Sequence, residues 1–347
     1  MSPHGQNVMG IDTHKHTHVA VILNGLDRKV GVLQFPATDA GAAELLAWGC
    51  QNGAPALAGV EGTGSYGYQL TRALQAAGVT VVEVNRPDRA NRRRKGKSDP
   101  IDAEAAARAV LAGQATAVPK TREGAVDSLR ALTIARNSAV KSTTMASNQI
   151  KALLVGADQD LRDRMRVQSL LQLATRCAEL GGLDGFHAAL SSLGRRWLQL
   201  HEEAVALDRL IRELVRRMAP RLVERPGIGI HSAAQSLITA GGNPGRLHSD
   251  AAFAALCGAS PVQASSGQRQ RHRLSRGGDR AANNALWTIA NNRMIHDKRT
   301  QEFAAKRREQ GDSRKDTLRV LKRYIARETF AIIRDALRTE TALPRVA

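Results

Sequence analysis

The sequence predicts a mixed α/β N-terminal domain, a long helical coiled-coil middle segment and a mainly α-helical C-terminal domain. Three observations predict it. β-rich apolar runs alternate with helix-spaced segments over residues 7–114, almost no β signal remains between 121 and 217, and the final third is helical but punctuated by Gly and Pro. The domain boundaries that follow are 1–118, 119–220 and 221–347.

The stretch NVMGIDTHKHTHVAVILN partly alternates polar and apolar residues and predicts two strands, broken around Thr13–Lys15. GVLQFPA is a third short strand. TDAGAAELLAWGCQ has helical spacing, with Thr38 or Asp39 as its cap. ALAGVEGTG is a buried strand running into a Gly-rich turn, SYGYQLTRALQAAG a helix closed by Gly78, and VTVVEVN another strand. DPIDAEAAARAVLAG is a helix with Asp99 at the cap, Pro100 at the first position and Gly113 at the end. The order βββαβαβα, a meander followed by crossovers, suits a mixed sheet covered by helices.

Within 119–220, Leu129, Leu132, Ile134, Val140 and Ile150 form one broken apolar stripe, and Leu198, Leu200, Val205, Leu207, Leu210, Ile211 and Val215 another. Two long helices joined by a less regular helical stretch predict an antiparallel hairpin or an oligomerisation coil. Further on, RPGIGIHSAAQSLITAGG reads as a turn and helix, and DAAFAALCGASPV as a helix and a Pro-marked loop. RGGDRAANNALWTIANNRMIHD and KDTLRVLKRYIARETFAIIRDAL are helical, with fraying expected from Thr339.

Charge narrows the function. There are 51 Lys+Arg against 32 Asp+Glu, a net +19, with a pI near 10.9. Such a balance favours nucleic acid, because each cation that meets a phosphate releases a counterion. Aromatic residues are only 3%, which argues against single-strand binding by base stacking. No apolar run approaches the ~18 residues of a membrane span, and MSPHGQNVMGIDTHK lacks the pattern of a secretion signal. Cys50, Cys177 and Cys257 are scattered and form neither a disulfide framework nor a CxxC zinc site. A cytoplasmic bacterial protein is expected.

Four acids stand out by position. Asp12 lies near the end of the first strand and Glu61 ends the strand Ala58-Gly59-Val60, while Asp99 and Asp102 open one helix and share a face. In an α/β domain such positions can converge on one sheet edge. Carboxylates gathered without basic partners repel, and they suit Mg²⁺ or Mn²⁺. Taken singly, Asp99 and Asp102 also serve as a helix cap and dipole partner. The segment 86–97, RPDRANRRRKGK, carries seven basic residues and one acid. It is a candidate phosphate-tracking element through Arg92, Arg93, Arg94, Lys95 and Lys97. In GQRQRHRL, Arg269, Arg271 and Arg273 alternate, so that a strand would present them on one face.

The motifs GIDTHK at 10–15, GVEGTGSYG at 59–67 and KSDPIDAEAAA at 97–107 resemble the DEDD N-terminal domain of the insertion sequence 110 transposases and the related pilin-gene invertases. That domain is similar to the RuvC junction resolvase, a ribonuclease H-like fold. RPGIGIHSAAQSLITAGG, FAALCGASPV and SSGQRQRHRLSRGGDRAANNALW resemble the C-terminal half of the same family. The resemblance implies Asp12, Glu61, Asp99 and Asp102 as a metal-binding tetrad, and a catalytic serine in the Ser-Gly motif. Ser266 fits that motif best, with Ser265 adjacent. The basic-Gly position is Arg276, where many relatives have Lys. A serine nucleophile conserves the phosphodiester energy in a phosphoserine link.

The resemblance also implies a guiding bridge RNA, double-stranded donor and target DNA, and a homo-oligomer, dimer or tetramer. Two other functions fit parts of the sequence: a junction resolvase or invertase using the tetrad alone, and a non-catalytic nucleic-acid scaffold. His14, His16 and His18 form HxHxH, expected as polar surface rather than a transition-metal site. Gly62, Gly64 and Gly67 are expected to shape a bend that frees Glu61, since no P-loop Lys-Ser/Thr follows.

Overall fold

The computed structural model describes residues 6–84, 98–121, 124–181, 184–243, 245, 247–263, 272–273, 275 and 277–342. By compactness the chain divides into two units, Met1–Arg122 and Glu123–Ala347.

The first unit holds β1 (Val8–Thr13), β2 (Thr17–Leu23), β3 (Lys29–Pro36), α1 (Asp39–Gln51), β4 (Leu57–Glu61), α2 (Tyr68–Ala76), β5 (Thr80–Val84) and α3 (Asp99–Leu111). Among the described residues the order of elements is the predicted βββαβαβα. The strands form one five-stranded sheet in the order β3-β2-β1-β4-β5. β1, β2 and β3 are an antiparallel meander, and β4 and β5 run parallel to β1. This is the mixed sheet expected of a ribonuclease H-like domain.

Alternation along the strands divides the apolar residues between two layers. Met9, Ile11, Ile22, Val60 and Val81 pack with Leu45 of α1 and Leu70 and Leu74 of α2. On the opposite face Val19, Val21 and Leu23 meet Ala103 and Ala107 of α3, and Val8 and Val84 meet Ala106 and Val110. The small side chains of α3 bring its backbone very close to the sheet. A Cβ on Gly10 would lie 2.8 Å from Ala107 Cα and closer still to Ala103 O and Ala107 N. A Cβ on Gly59 would lie 2.5 Å from Val110 Cγ2 and 3.1 Å from Ala106 O.

The sequence left the cap of α1 open between Thr38 and Asp39 and placed Asp99 at the cap of α3. Thr38 caps α1, its Oγ1 accepting from Gly41 N–H at 3.2 Å. Asp99 does not cap α3. Ser98 holds the extended cap conformation and Asp99 is the first helical residue, one position from the expectation. Pro100 is tolerated there because the first-turn N–H groups have no intrahelical partner.

The second unit holds α4 (Gly124–Val155), α5 (Gln159–Arg164), α6 (Leu170–Ala178), α7 (Gly185–Met218), α8 (Pro220–Val223), α9 (Ile230–Ala240), α10 (Asp250–Leu256), β6 (Val262–Gln263), β7 (His272–Arg273), α11 (Arg280–His296), α12 (Lys298–Glu309) and α13 (Arg314–Ala342). α4 and α7 pair antiparallel within the chain. Arg136 bonds Asp208 at 2.9 Å, and further along Trp197 Nε1 donates to Ser147 Oγ at 2.8 Å. One end of the pair closes over Ile150, Leu161, Leu173, Cys177 and Leu190. At the other end Leu129, Ile211 and Val215 join the core formed by Phe253, Leu286, Ile289, Ile325, Phe330 and Ile333. Two features depart from the sequence pattern. α12 is so rich in charge that no apolar stripe marks it, and α13 continues to Ala342 rather than fraying from Thr339. Among the described residues no helix is long and apolar enough to cross a membrane.

Candidate metal centre

The close seating of α3 decides where the acids go. Gly10 and Gly59 both face α3, and in a strand the residue two positions later faces the same side. Those residues are Asp12 and Glu61. β1 and β4 are parallel, with Ile11 opposite Val60, so the two acids follow at matching positions on neighbouring strand ends. The N-terminal turn of α3 brings Asp99 and Asp102 to that edge. Thus Gly-Ile-Asp and Gly-Val-Glu each combine a seat for the helix with an acid beyond it.

Asp12 and Asp102 are buried, while Asp99 and Glu61 are partly exposed. His14 Nε2 stands 3.2 Å from Asp12 Oδ2 and 3.3 Å from Asp99 Oδ1. Ligand atoms of Asp12, His14 and Asp99 all lie within 4.8 Å of one another. The Asp12 carboxyl is pushed above its ordinary range, first by burial, then by the negative charges of Asp102 and Asp99, with His14 opposing. Buried like charges disfavour ionisation, and a bound cation reverses that preference. Two carboxylates and an imidazole, with a third carboxylate close by, are a donor set that fits a hard divalent ion.

The surrounding backbone fixes this edge. Thr13 Oγ1 donates to Glu61 O at 2.8 Å, tying the ends of β1 and β4 together. The chain then turns at Gly62, whose φ of +75° favours glycine, and Gly62 O accepts from Ser65 N–H at 2.8 Å. A Cβ at Gly62 would meet Thr13 Oγ1 at 2.9 Å. On the far side of α3, Glu104 pairs with Lys29 at 2.5 Å and with Arg108 at 2.9 Å.

The three histidines do not share a polar surface. β1 ends at Thr13 and β2 starts at Thr17, so His14 and His16 lie on the turn and His18 enters the sheet. His18 is buried, edge-on to Phe35 at 5.5 Å, and burial lowers its pKa. His16 is exposed, while His14 joins the carboxylates. Sequence reasoning missed His14; its signal was the two-residue offset from Asp12 beyond a strand end.

Arg92, Arg93, Arg94, Lys95, Lys97, Ser265, Ser266, Arg269, Arg271 and Arg276 lie outside the described residues. Arg273 is described: it is exposed on β7, opposite Val262 of β6. A basic element not singled out in the sequence is α12, where Lys298, Arg299, Lys306 and Arg308 are exposed.

A family model described as transposase, the DEDD type of IS110, matches residues 9–157. A second, described as transposase of the IS116/IS110/IS902 family, matches residues 219–305. Together they span about two thirds of the chain. The chain belongs to the IS110 transposase family. It is also similar to an insertion element IS110 uncharacterized 43.6 kDa protein of Streptomyces coelicolor, at 28% identity over 166 residues. That match covers 47% of this chain and 41% of the relative, so it spans about two fifths of that protein's length. DEDD transposases of the IS110 type use a divalent metal, and the crowded carboxylates of β1 and α3 lie inside the first matched segment.

Proposed function

We propose that this chain is a recombinase that mobilises an insertion sequence, cutting and rejoining double-stranded donor and target DNA. One observation carries the reading: in a chain of the IS110 transposase family, Asp12, Asp99 and Asp102 crowd one sheet edge, with Glu61 at the adjoining strand end. Asp12, Glu61, Asp99 and Asp102 are the metal-holding tetrad. Bound Mg²⁺ or Mn²⁺ supplies positive charge that polarises the scissile phosphate.

Ser266 is the nucleophile in this reading. Its hydroxyl gives up a proton as Oγ bonds to phosphorus; the phosphodiester bond to one sugar oxygen breaks, and that oxygen takes up a proton. The protein–DNA link preserves the bond energy, and a DNA hydroxyl later reverses the attack to rejoin strands. Arg269, Arg271, Arg273 and Arg276 hold neighbouring phosphates, and Arg92, Arg93, Arg94, Lys95 and Lys97 track the backbone. A bridge RNA carries the sequence readout by base pairing, as in other RNA-guided systems. The net +19 supports a partner set of several nucleic acids. The segment 119–220 supplies contacts for a dimer or tetramer. Ile134 and Met145, both exposed and eleven residues apart on one face of α4, support that assignment.

The test is capture of the covalent link. A nicked substrate is reacted, the protein digested, and the DNA-bearing peptide sequenced. Attachment at Ser266 is expected, and Ser266→Ala should bind nucleic acid yet form no link. Attachment at Ser265 would move the assignment by one residue. Free ends, no protein-linked DNA and an active Ser266→Ala variant would refute the serine route and leave a resolvase that uses the tetrad alone.

A further inference from the structure

We infer that His14 is a direct ligand of the divalent ion, making the centre a mixed nitrogen and oxygen site that prefers Mn²⁺ to Mg²⁺. The inference deepens the tetrad reading and rests on it.

The geometry already matches. Two ligand atoms at ~2.1 Å from an octahedral ion and at right angles to each other stand ~3 Å apart. His14 Nε2 lies 3.2 Å from Asp12 Oδ2 and 3.3 Å from Asp99 Oδ1, so it shares an edge of such a polyhedron with each. The imidazole reaches the site from the turn after β1, across from the helix that brings Asp99.

The turn is also held in place. His14 N–H donates to His18 Nδ1 at 3.2 Å, and His18 is buried in the sheet against Phe35. On the other side, Thr13 Oγ1 is bonded to Glu61 O. With its own N–H bonded to His18 and the preceding Thr13 tied to Glu61, His14 presents its ring from a held backbone rather than a loose loop. A built arrangement of this kind is what an inner-sphere ligand requires.

The chemistry sets the preference. Mg²⁺ is satisfied by carboxylate and water, whereas imidazole favours transition ions. Adding one nitrogen donor to an oxygen site raises affinity for Mn²⁺ while leaving Mg²⁺ nearly unchanged. A simple counter-ion role for His14, pairing with the carboxylates until a metal displaces it, predicts the opposite: no nitrogen on the metal and equal effects on both ions.

The experiment uses the full chain with Mn²⁺ and Mg²⁺ as probes. Pulsed electron spin resonance of the Mn²⁺ complex reads nitrogen coupling, and calorimetry reads both affinities in wild type, His14→Ala, His14→Gln and Asp12→Asn. Circular dichroism checks folding, and His14→Gln serves if His14→Ala melts early. Nitrogen coupling is expected in wild type and lost in the His14 variants. Mn²⁺ should bind about tenfold more weakly to them, with Mg²⁺ changed less than about twofold. Asp12-dependent Mn²⁺ binding without nitrogen coupling, or coupling that survives both His14 substitutions, would overturn the ligand role alone. Absence of saturable binding in wild type, or binding unaffected by Asp12→Asn, would overturn the tetrad reading and the ligand role with it.

Discussion

Gly10→Ala perturbs the centre without touching a candidate ligand. The added methyl would stand 2.8 Å from Ala107 Cα and nearer still to Ala103 O and Ala107 N. All three are backbone atoms of α3, so no rotamer change relieves the clash, and the helix must move away by about 1 Å for ordinary contact. Overpacking of this sort costs about 1–3 kcal/mol, and the rigid backbone obstacle places Gly10 near the upper end. The helix carries Asp99 and Asp102 with it. A displacement of about 1 Å in catalytic groups costs on the order of a hundredfold in rate. Urea denaturation gives the first quantity, and strand exchange on a donor–target pair gives the second. Two glycines calibrate the result. Gly59→Ala meets side-chain methyls of Val110 and Val84 at 2.5 and 2.9 Å, which can partly rotate away, and should be milder. Gly185, at the start of α7, has open space around its Cβ position, and Gly185→Ala should be neutral or stabilising by up to about 1 kcal/mol. A Gly10→Ala protein with wild-type stability and wild-type exchange would refute the seating argument.

Asp12→Asn should stabilise the metal-free protein. Folding raises the Asp12 pKa above its ordinary 3.8, so wild type loses stability as pH rises through that window. The variant's advantage should therefore be small at pH 4 and larger at pH 7 in chelator, and Mn²⁺ should reverse the order; denaturation curves favouring wild type at pH 7 in chelator would contradict the burial argument. Asp102→Ala should abolish exchange while retaining native circular dichroism, and full metal-dependent exchange would remove Asp102 from the site. Trp197→Ala should cost about 3–5 kcal/mol by denaturation, because Trp197 is buried, bonds Ser147 and stacks on His201 at 4.8 Å. Light scattering should show a dimer or tetramer that Met145→Glu weakens, whereas a monomer with and without nucleic acid would rule out an oligomerising α4.

Much of the first unit was legible because strand alternation and helix spacing agree with each other along 7–114. The acids were legible as positions, at two strand ends and one helix start. Their convergence was not, since it depends on the fit between Gly10, Gly59 and the alanines of α3. The cap slipped by one residue because Ser98, Asp99 and Pro100 each satisfy a helix-start rule, and only the backbone angles decide among them. The break predicted around Thr13–Lys15 is present, and it sends the three rings of HxHxH into different surroundings, which the spacing alone does not assign. α12 gave no signal because only Thr300 and Ala304 are fully buried on it, with Phe303 packing partly beside them, too few for a stripe. Ser266 came from resemblance, since a Ser-Gly pair by itself reads as a polar loop.

The α4–α7 pair has the proportions of a lever arm. At 1.5 Å per residue the 32 residues of α4 extend about 48 Å, comparable to some fourteen base pairs of duplex at ~3.4 Å each. One end is clamped in the large C-terminal core and the other carries only the small cluster around Ile150 and Leu190. A tilt of about 5° at the clamped end would sweep the free end through roughly 4 Å, the height of a base-pair step. Small repacking among Leu129, Ile211 and Val215 would thereby be amplified into a displacement of several ångströms at the cluster around Ile150 and Leu190.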